Sequence, residues 1–162
     1  MSAENGEATE KTGRFLVTHA EDDSAVLKDV EDSQVHTLKD NPGVESGDVL
    51  DATLDAVPPM EVAWSVVEVD ARRSLAVERS EEPPTANERD VAAEQSVGDV
   101  TRQERAGMGE IHVITVPPER TDDAAEDVLD DEATLVRAAR MDDVVRVEVR
   151  AADGVVAIRY LP

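Results

Sequence analysis

Acidic residues outnumber basic ones 38 to 16, so any fold this chain adopts has to spread a net charge of -22 over the surface of 162 residues. A compact shape holds those charges within one or two Debye lengths of each other, about 8 Å at physiological ionic strength, and they repel. Molar salt removes that penalty. Lysine occurs only at positions 11, 28 and 39, every other cation is an arginine, and the apolar residues are mostly Ala and Val. Phe15, Trp64 and Tyr160 are the only aromatic residues. Scarce Lys, abundant carboxylates and small hydrophobes together indicate a salt-adapted, halophilic protein working in a potassium-rich cytoplasm. An acidic disordered chain is the competing reading, and the alternating Val-rich runs argue against it.

Several function classes fall away at once. The chain has no cysteine, which excludes thiol catalysis, disulfides and thiolate metal sites. No stretch approaches the roughly 20 apolar residues that a membrane span needs. Residues 1–12 are polar and acidic, without the basic and apolar regions of a secretory leader, so a soluble, cytoplasmic protein is expected.

The organisation read from the sequence is α+β. Residues 1–12 show no helical or strand period and read as a disordered acidic tail. Residues 13–80 hold five β-rich runs, at 14–20, 25–30, 34–39, 49–57 and 61–74, which suggest a small five-stranded barrel of the OB or SH3-like kind. In the fourth run Leu50, Ala52, Leu54 and Ala56 face one way and Asp51, Thr53 and Asp55 the other. Glu81-Glu82-Pro83-Pro84 opens a hinge and linker segment over residues 81–108. There Thr85 and Glu88 form a capping box that predicts a helix over 86–95, and a second short helical piece follows Gly98-Asp99.

Residues 109–162 read as a β-α-α-β-β domain with its helices on one face of the sheet. A strand at 111–116 is followed by helical sequence over 121–140 that Asp130-Asp131 divides in two, and Asp153-Gly154 is a two-residue hairpin turn. That turn sets the register: Ala151 opposes Val156, Val149 opposes Ile158, Val147 opposes Tyr160, and Glu148 opposes Arg159.

No catalytic signature, metal-ligand spacing or cofactor motif is present, so no catalytic residue, metal or cofactor is assigned. His19, His36 and His112 sit on different strands and read as half-exposed strand residues. Gly107-Met108-Gly109 lacks the third glycine of a nucleotide fingerprint and reads as a turn. Two acidic rows, Asp122, Glu126, Asp130 and Asp123, Asp127, Asp131, read as a solvated face rather than a cation site.

Arg146, Arg150 and Arg159 share one sheet face and are the local exception to the acidic field, since guanidinium binds phosphate or carboxylate bidentately. Neutralisation by Glu148 and by carboxylates of the linker helix is the alternative for this face. Phe15 and Trp64 are candidates for base stacking, although they are also the large residues best able to fill the barrel core.

The segments GRFLVTHAEDDSAVLKDVEDSQVHTLKDNP, VERSEEPPT, HVITVPPERT and VRAADGVVAIRYLP resemble a haloarchaeal protein family known only as a domain of unknown function, from about Gly13 to the C-terminus. The resemblance agrees with salt adaptation and implies no activity. SGDVLDATL, before a long last strand, is more distantly similar to the small RNA-binding barrels of the TRAM and S1 kind. The expected function is a non-enzymatic binding module for RNA or a ribonucleoprotein, with Arg146, Arg150, Arg159, Phe15 and Trp64 as contacts. A protein-interaction or assembly module using the C-terminal sheet face is the alternative, and an enzyme with an interdomain site is the third.

Overall fold

A computed structural model describes residues 10–58, 63–105 and 107–162, and the chain divides after Ser74 into two compact units. Both units mix strands with loops or helices, and the fold class is α+β. Among the described residues no helix is long and apolar enough to cross a membrane.

The first unit holds β1 (Glu10–Glu21), β2 (Ser24–Asp29), β3 (Val35–Leu38), β4 (Asp48–Val57) and β5 (Ala63–Ser74). β1 pairs with β2, β2 with β3, β3 with β5, β5 with β4 and β4 with β1, so the five strands close into a barrel. All pairings are antiparallel except β3 with β5, a parallel contact made through the single bridge Leu38–Trp64. β1 serves two partners. Its first half pairs with β4, its second half with β2, and the register shift between Val17 and His19 marks an irregularity on the β2 side.

Alternation along each strand fills the barrel. Phe15, Val17, Leu27, Leu38, Leu50, Ala52 and Leu54 are buried together, and Val44 plugs the end from the β3–β4 connection. That connection is shaped by Asn41, whose Oδ1 accepts from the Gly43 and Val44 amides while Nδ2 donates to the Glu21 carbonyl. Asp48, almost fully buried, accepts from the Arg72 guanidinium at 2.7 Å and the Ser74 hydroxyl at 2.6 Å.

The second unit holds β6 (Ala76–Arg79), α1 (Ala86–Ala93), β7 (Val100–Glu104), β8 (Glu110–Thr115), a short 3-10 turn at Pro118–Arg120, α2 (Thr121–Asp130), α3 (Glu132–Arg140), β9 (Arg146–Ala152) and β10 (Val155–Leu161). Its sheet has the order β6-β9-β10-β8-β7, parallel only between β6 and β9. The β9–β10 hairpin takes the register set by Asp153-Gly154, including Glu148 opposite Arg159. Both turn residues have left-handed backbone, φ 49° and 85°, as a two-residue turn between twisted strands requires.

Several expectations differ from the structure. Glu10 to Thr12 already belong to β1, while the expected tail over 1–9 and the start of the fifth run at 61 lie outside the described residues. The segment after Gly98-Asp99 is the edge strand β7 rather than a helix, because Val100, Arg102 and Glu104 are exposed while Thr101 and Gln103 alternate inward against β8. Residues 81–108 are therefore not a separate hinge: they supply α1 and β7, and β6 completes a sheet of five strands instead of three.

Nor do the helices keep to one face. α2 and α3 cover the side carrying Val147, Val149, Val156, Ile158 and Tyr160. α1 packs Ala92 against Val113 and Val155 on the opposite side. The central strands β8 and β10 carry apolar residues on both faces, and each face needs cover.

Candidate functional site

The face under α1 is where Arg146, Arg150 and Arg159 meet, because alternation along β9 and β10 puts them on the side away from the valine core. The capping box fixes α1 above them. Thr85 accepts from the Glu88 amide at 3.2 Å, and Glu88 Oε1 accepts from the Thr85 amide at 2.8 Å. That reciprocal pair turns Glu88 onto the sheet, where its side chain is only 1% exposed. Its second oxygen, Oε2, lies 3.8 Å from Arg159 Nε, and neither atom has a hydrogen-bond partner among the described residues.

The arginines are held within the unit. Arg159 also reaches Glu148 at 3.4 Å, Arg150 contacts Glu148 at 2.7 Å and Glu82 at 2.9 Å, and Arg146 lies 3.8 Å from Glu78. Three guanidinium groups therefore face four carboxylates. Of the two expectations for this face, the geometry matches neutralisation by Glu148 and the segment around α1.

Phe15 and Trp64 lie in the other unit. Phe15 is fully buried, so it does not present its ring to a ligand. It packs edge-on to His36 at 5.6 Å, and His36 packs edge-on to Trp64 at 4.8 Å. Trp64 is half-buried at the β3–β5 seam. In a barrel with so few large residues, filling the interior takes Phe15.

Of the three histidines, only His19 is exposed. His36 is buried beside Phe15 and Trp64, and burial, with a smaller effect from the Lys11 charge, holds its pKa below the ordinary histidine value. His112 is also buried, and its Nε2 donates at 2.9 Å to Glu110 Oε1, which Arg137 of α3 contacts at 2.8 Å. Burial lowers the His112 pKa even though Glu110 opposes the shift. Burial works to raise Glu110, but the hydrogen bonds from Arg137 and His112 win and its pKa lies below the usual carboxylate range. Tyr160 packs against His112 with ring centroids 4.9 Å apart, and burial pushes its phenol up to about 12.

Glu110 lines a groove of about 330 Å³ with Glu104, Gly107, Met108, Gly109, Met141 and Asp142. His112 is buried and does not line the groove, which presents Glu110 rather than the imidazole. Gly109 has φ 96°, and a Cβ there would sit 2.0 Å from the Tyr160 carbonyl oxygen, which explains the glycine turn without a ligand. A second groove, about 530 Å³, lies beside the β1–β2 turn and carries Glu21, Asp22 and Glu45. Its charge repels phosphate. The acidic positions of α2 are exposed, and among the described residues no group of three or more His, Asp or Glu could hold a metal ion.

The sequence identifies Glu88 as a cap and the carboxylates of its helix as counter-ions to the arginines, but not Glu88 as the one that is buried. The signal was the buried side of an eight-residue helix, readable only once its docking face is known. The Glu110–His112 pair at strand spacing was readable, whereas Arg137 came from a helix whose register on the sheet the sequence leaves open.

The chain belongs to a family of unknown function (DUF5812), whose model matches residues 11–151. No curated protein and no solved structure matches it.

Arg159→Ala leaves Glu88 buried without a nearby cation and is expected to cost roughly 3 kcal/mol in urea unfolding. Adding Glu88→Gln should recover a large part of that loss, which a double-mutant cycle measures. The histidines set a pH dependence. An unfolded imidazole takes a proton below its ordinary pKa of 6.5, whereas folded His36 and His112 resist it. Their contribution is complete above that value and declines as pH falls toward the folded pKa values. The urea midpoint at fixed salt should therefore be lower at about pH 5.5 than at about pH 7.5, and His36→Phe should flatten the slope.

Proposed function

We propose that this chain is a non-enzymatic binding module working in molar salt, and that its partner is a polypeptide rather than RNA. The strand order β1-β2-β3-β5-β4, with β1 shared between two neighbours and β3 parallel to β5, supports an OB-type reading of the barrel. OB barrels fill their interior with side chains and bind through their outer strands and loops. That likeness is one of fold and favours binding in general, without choosing a ligand.

The pairing of the arginine face selects the partner class. A phosphate backbone is held by protein cations that displace its small counterions, and Arg146, Arg150 and Arg159 would each have to leave a carboxylate of their own unit first. Binding driven by phosphate contacts also weakens steeply with salt, so the solvent that suits a charge of -22 opposes it. Apolar and backbone contacts with another polypeptide keep their strength there.

Two measurements test the proposal. Ultraviolet crosslinking to RNA in molar KCl should recover no RNA above background; RNA recovered in proportion to protein, and lost when Arg150 is replaced by Ala, would overturn the polypeptide reading. Lowering KCl from molar to about 0.1 M should shift the thermal midpoint downward, because carboxylate repulsion returns as the Debye length grows. An unchanged midpoint sinks the salt-adapted part.

A further inference from the structure

We infer that the outer edge of β7 pairs antiparallel with the same edge of a second copy of this chain, joining two five-stranded sheets into one. The inference rests on the polypeptide-partner reading and names the partner.

β7 ends its sheet, and among the described residues no strand pairs with its outer side. Its ladder with β8 runs without a register shift from Val100 to Glu104. Beyond the two ends of that ladder, the Arg105 amide donates to the Gly109 carbonyl and the Thr115 amide to the Asp99 carbonyl. Odd-numbered residues of β7 therefore turn their backbone groups toward β8, and Val100, Arg102 and Glu104 turn theirs outward. Such a row of unused donors and acceptors is what strand addition needs. The long barrel strand β5 is built differently: its register against β4 shifts twice, and irregularities of that kind bend an edge away from a partner.

Charge selects the occupant. Arg102 and Glu104 are exposed on the same side of the sheet, and among the described residues neither has a hydrogen-bond or ion-pair partner. Glu104 stands directly opposite Glu110, a like charge whose own carboxylate is already held by Arg137 and His112. A two-fold axis through Gln103 brings Glu104 the cation it lacks. Arg102 of each copy then lies opposite Glu104 of the other, and the ion pair forms twice. The backbone agrees, because Arg102 and Glu104 both turn N–H and C=O outward and so meet as hydrogen-bonded pairs. Gln103 meets itself at the position without backbone bonds, where its amide can both donate and accept. Moving the axis to Arg102 sets arginine on arginine, and moving it to Thr101 leaves Glu104 opposite Gly98. A parallel copy in register sets like against like. Charged side chains blunt an edge toward most strands. Here their order admits this chain's own sequence.

The contact is short, so the expected Kd is on the order of 0.1 mM. Sedimentation equilibrium of the full-length protein at about 0.5 mM in molar KCl should show monomer and dimer together. The chain has no cysteine, so a single introduced thiol reports the contact. Across an axis at Gln103 the facing Cα atoms stand about 4.5 Å apart, within the range a disulfide spans. Under mild oxidation Gln103→Cys should crosslink readily, while Val35→Cys, at an exposed position on β3, should not. Arg102→Glu should weaken the dimer about tenfold or more, and adding Glu104→Arg, which swaps the pair, should return it to within about threefold of the starting affinity. A monomer overturns the inference, as does a dimer in which Gln103→Cys crosslinks no faster than Val35→Cys, or one that the charge swap fails to restore. A monomer that also carries no RNA overturns self-pairing alone and leaves the polypeptide reading standing.

Discussion

Arg159 stands between two carboxylates, Glu148 beside it on the sheet and Glu88 above it on α1, and the second unit is organised around that contact. Removing charges from water is costly, and their attraction repays the cost only when opposite charges stay close. Here closeness is secured by local rules. The hairpin turn fixes which residue faces Arg159, and the capping box fixes where the first helix carboxylate points. Two short sequence signals, sixty-odd residues apart in the chain, thus converge on one ion network. The network also explains why Arg150 and Arg159, though they share a sheet face, are already engaged by carboxylates of their own unit.

The reliance on charge follows from the apolar vocabulary. Ala and Val bury little area each, so neither unit builds a large core, and roughly 25 cal/mol per Å² of apolar surface does not go far with such side chains. Polar groups fill the difference. Asp48 with Arg72 and Ser74 closes one end of the barrel, and Glu110 with Arg137 and His112 does similar work under α3. A chain with 38 acidic residues has carboxylates available for these tasks, and it uses them inside as well as outside.

Much of the local structure was legible in the sequence. The β9–β10 register came from Asp153-Gly154, the α1 start from Thr85 and Glu88, the break between α2 and α3 from Asp130-Asp131, and the inward face of β4 from strict alternation. Signals of that kind act over a few residues. What was not legible depends on distant partners. β7 is a short edge strand whose sequence, rich in Gln, Arg and Glu, carries no strong preference and becomes a strand because β8 offers it an edge. β6 is recruited by β9 in the same way. The candidate contacts split for the same reason: the arginines share a face as their spacing requires, but only the docking of α1 shows that the face is covered, and only the closed barrel shows Phe15 inside.

The pairing of β6 with β9 has a consequence for how the chain acquires this fold. Ala76 lies beside Arg146, seventy positions later, and everything between them has to be produced before the sheet can be finished. Closing so long a stretch is entropically slow compared with zipping the β9–β10 hairpin or winding α3. On a ribosome, the barrel strands are complete once residue 74 has emerged, whereas β6 waits for β9 until the β9–β10 hairpin has emerged as well. The two units therefore mature on different clocks, the first ahead of the second.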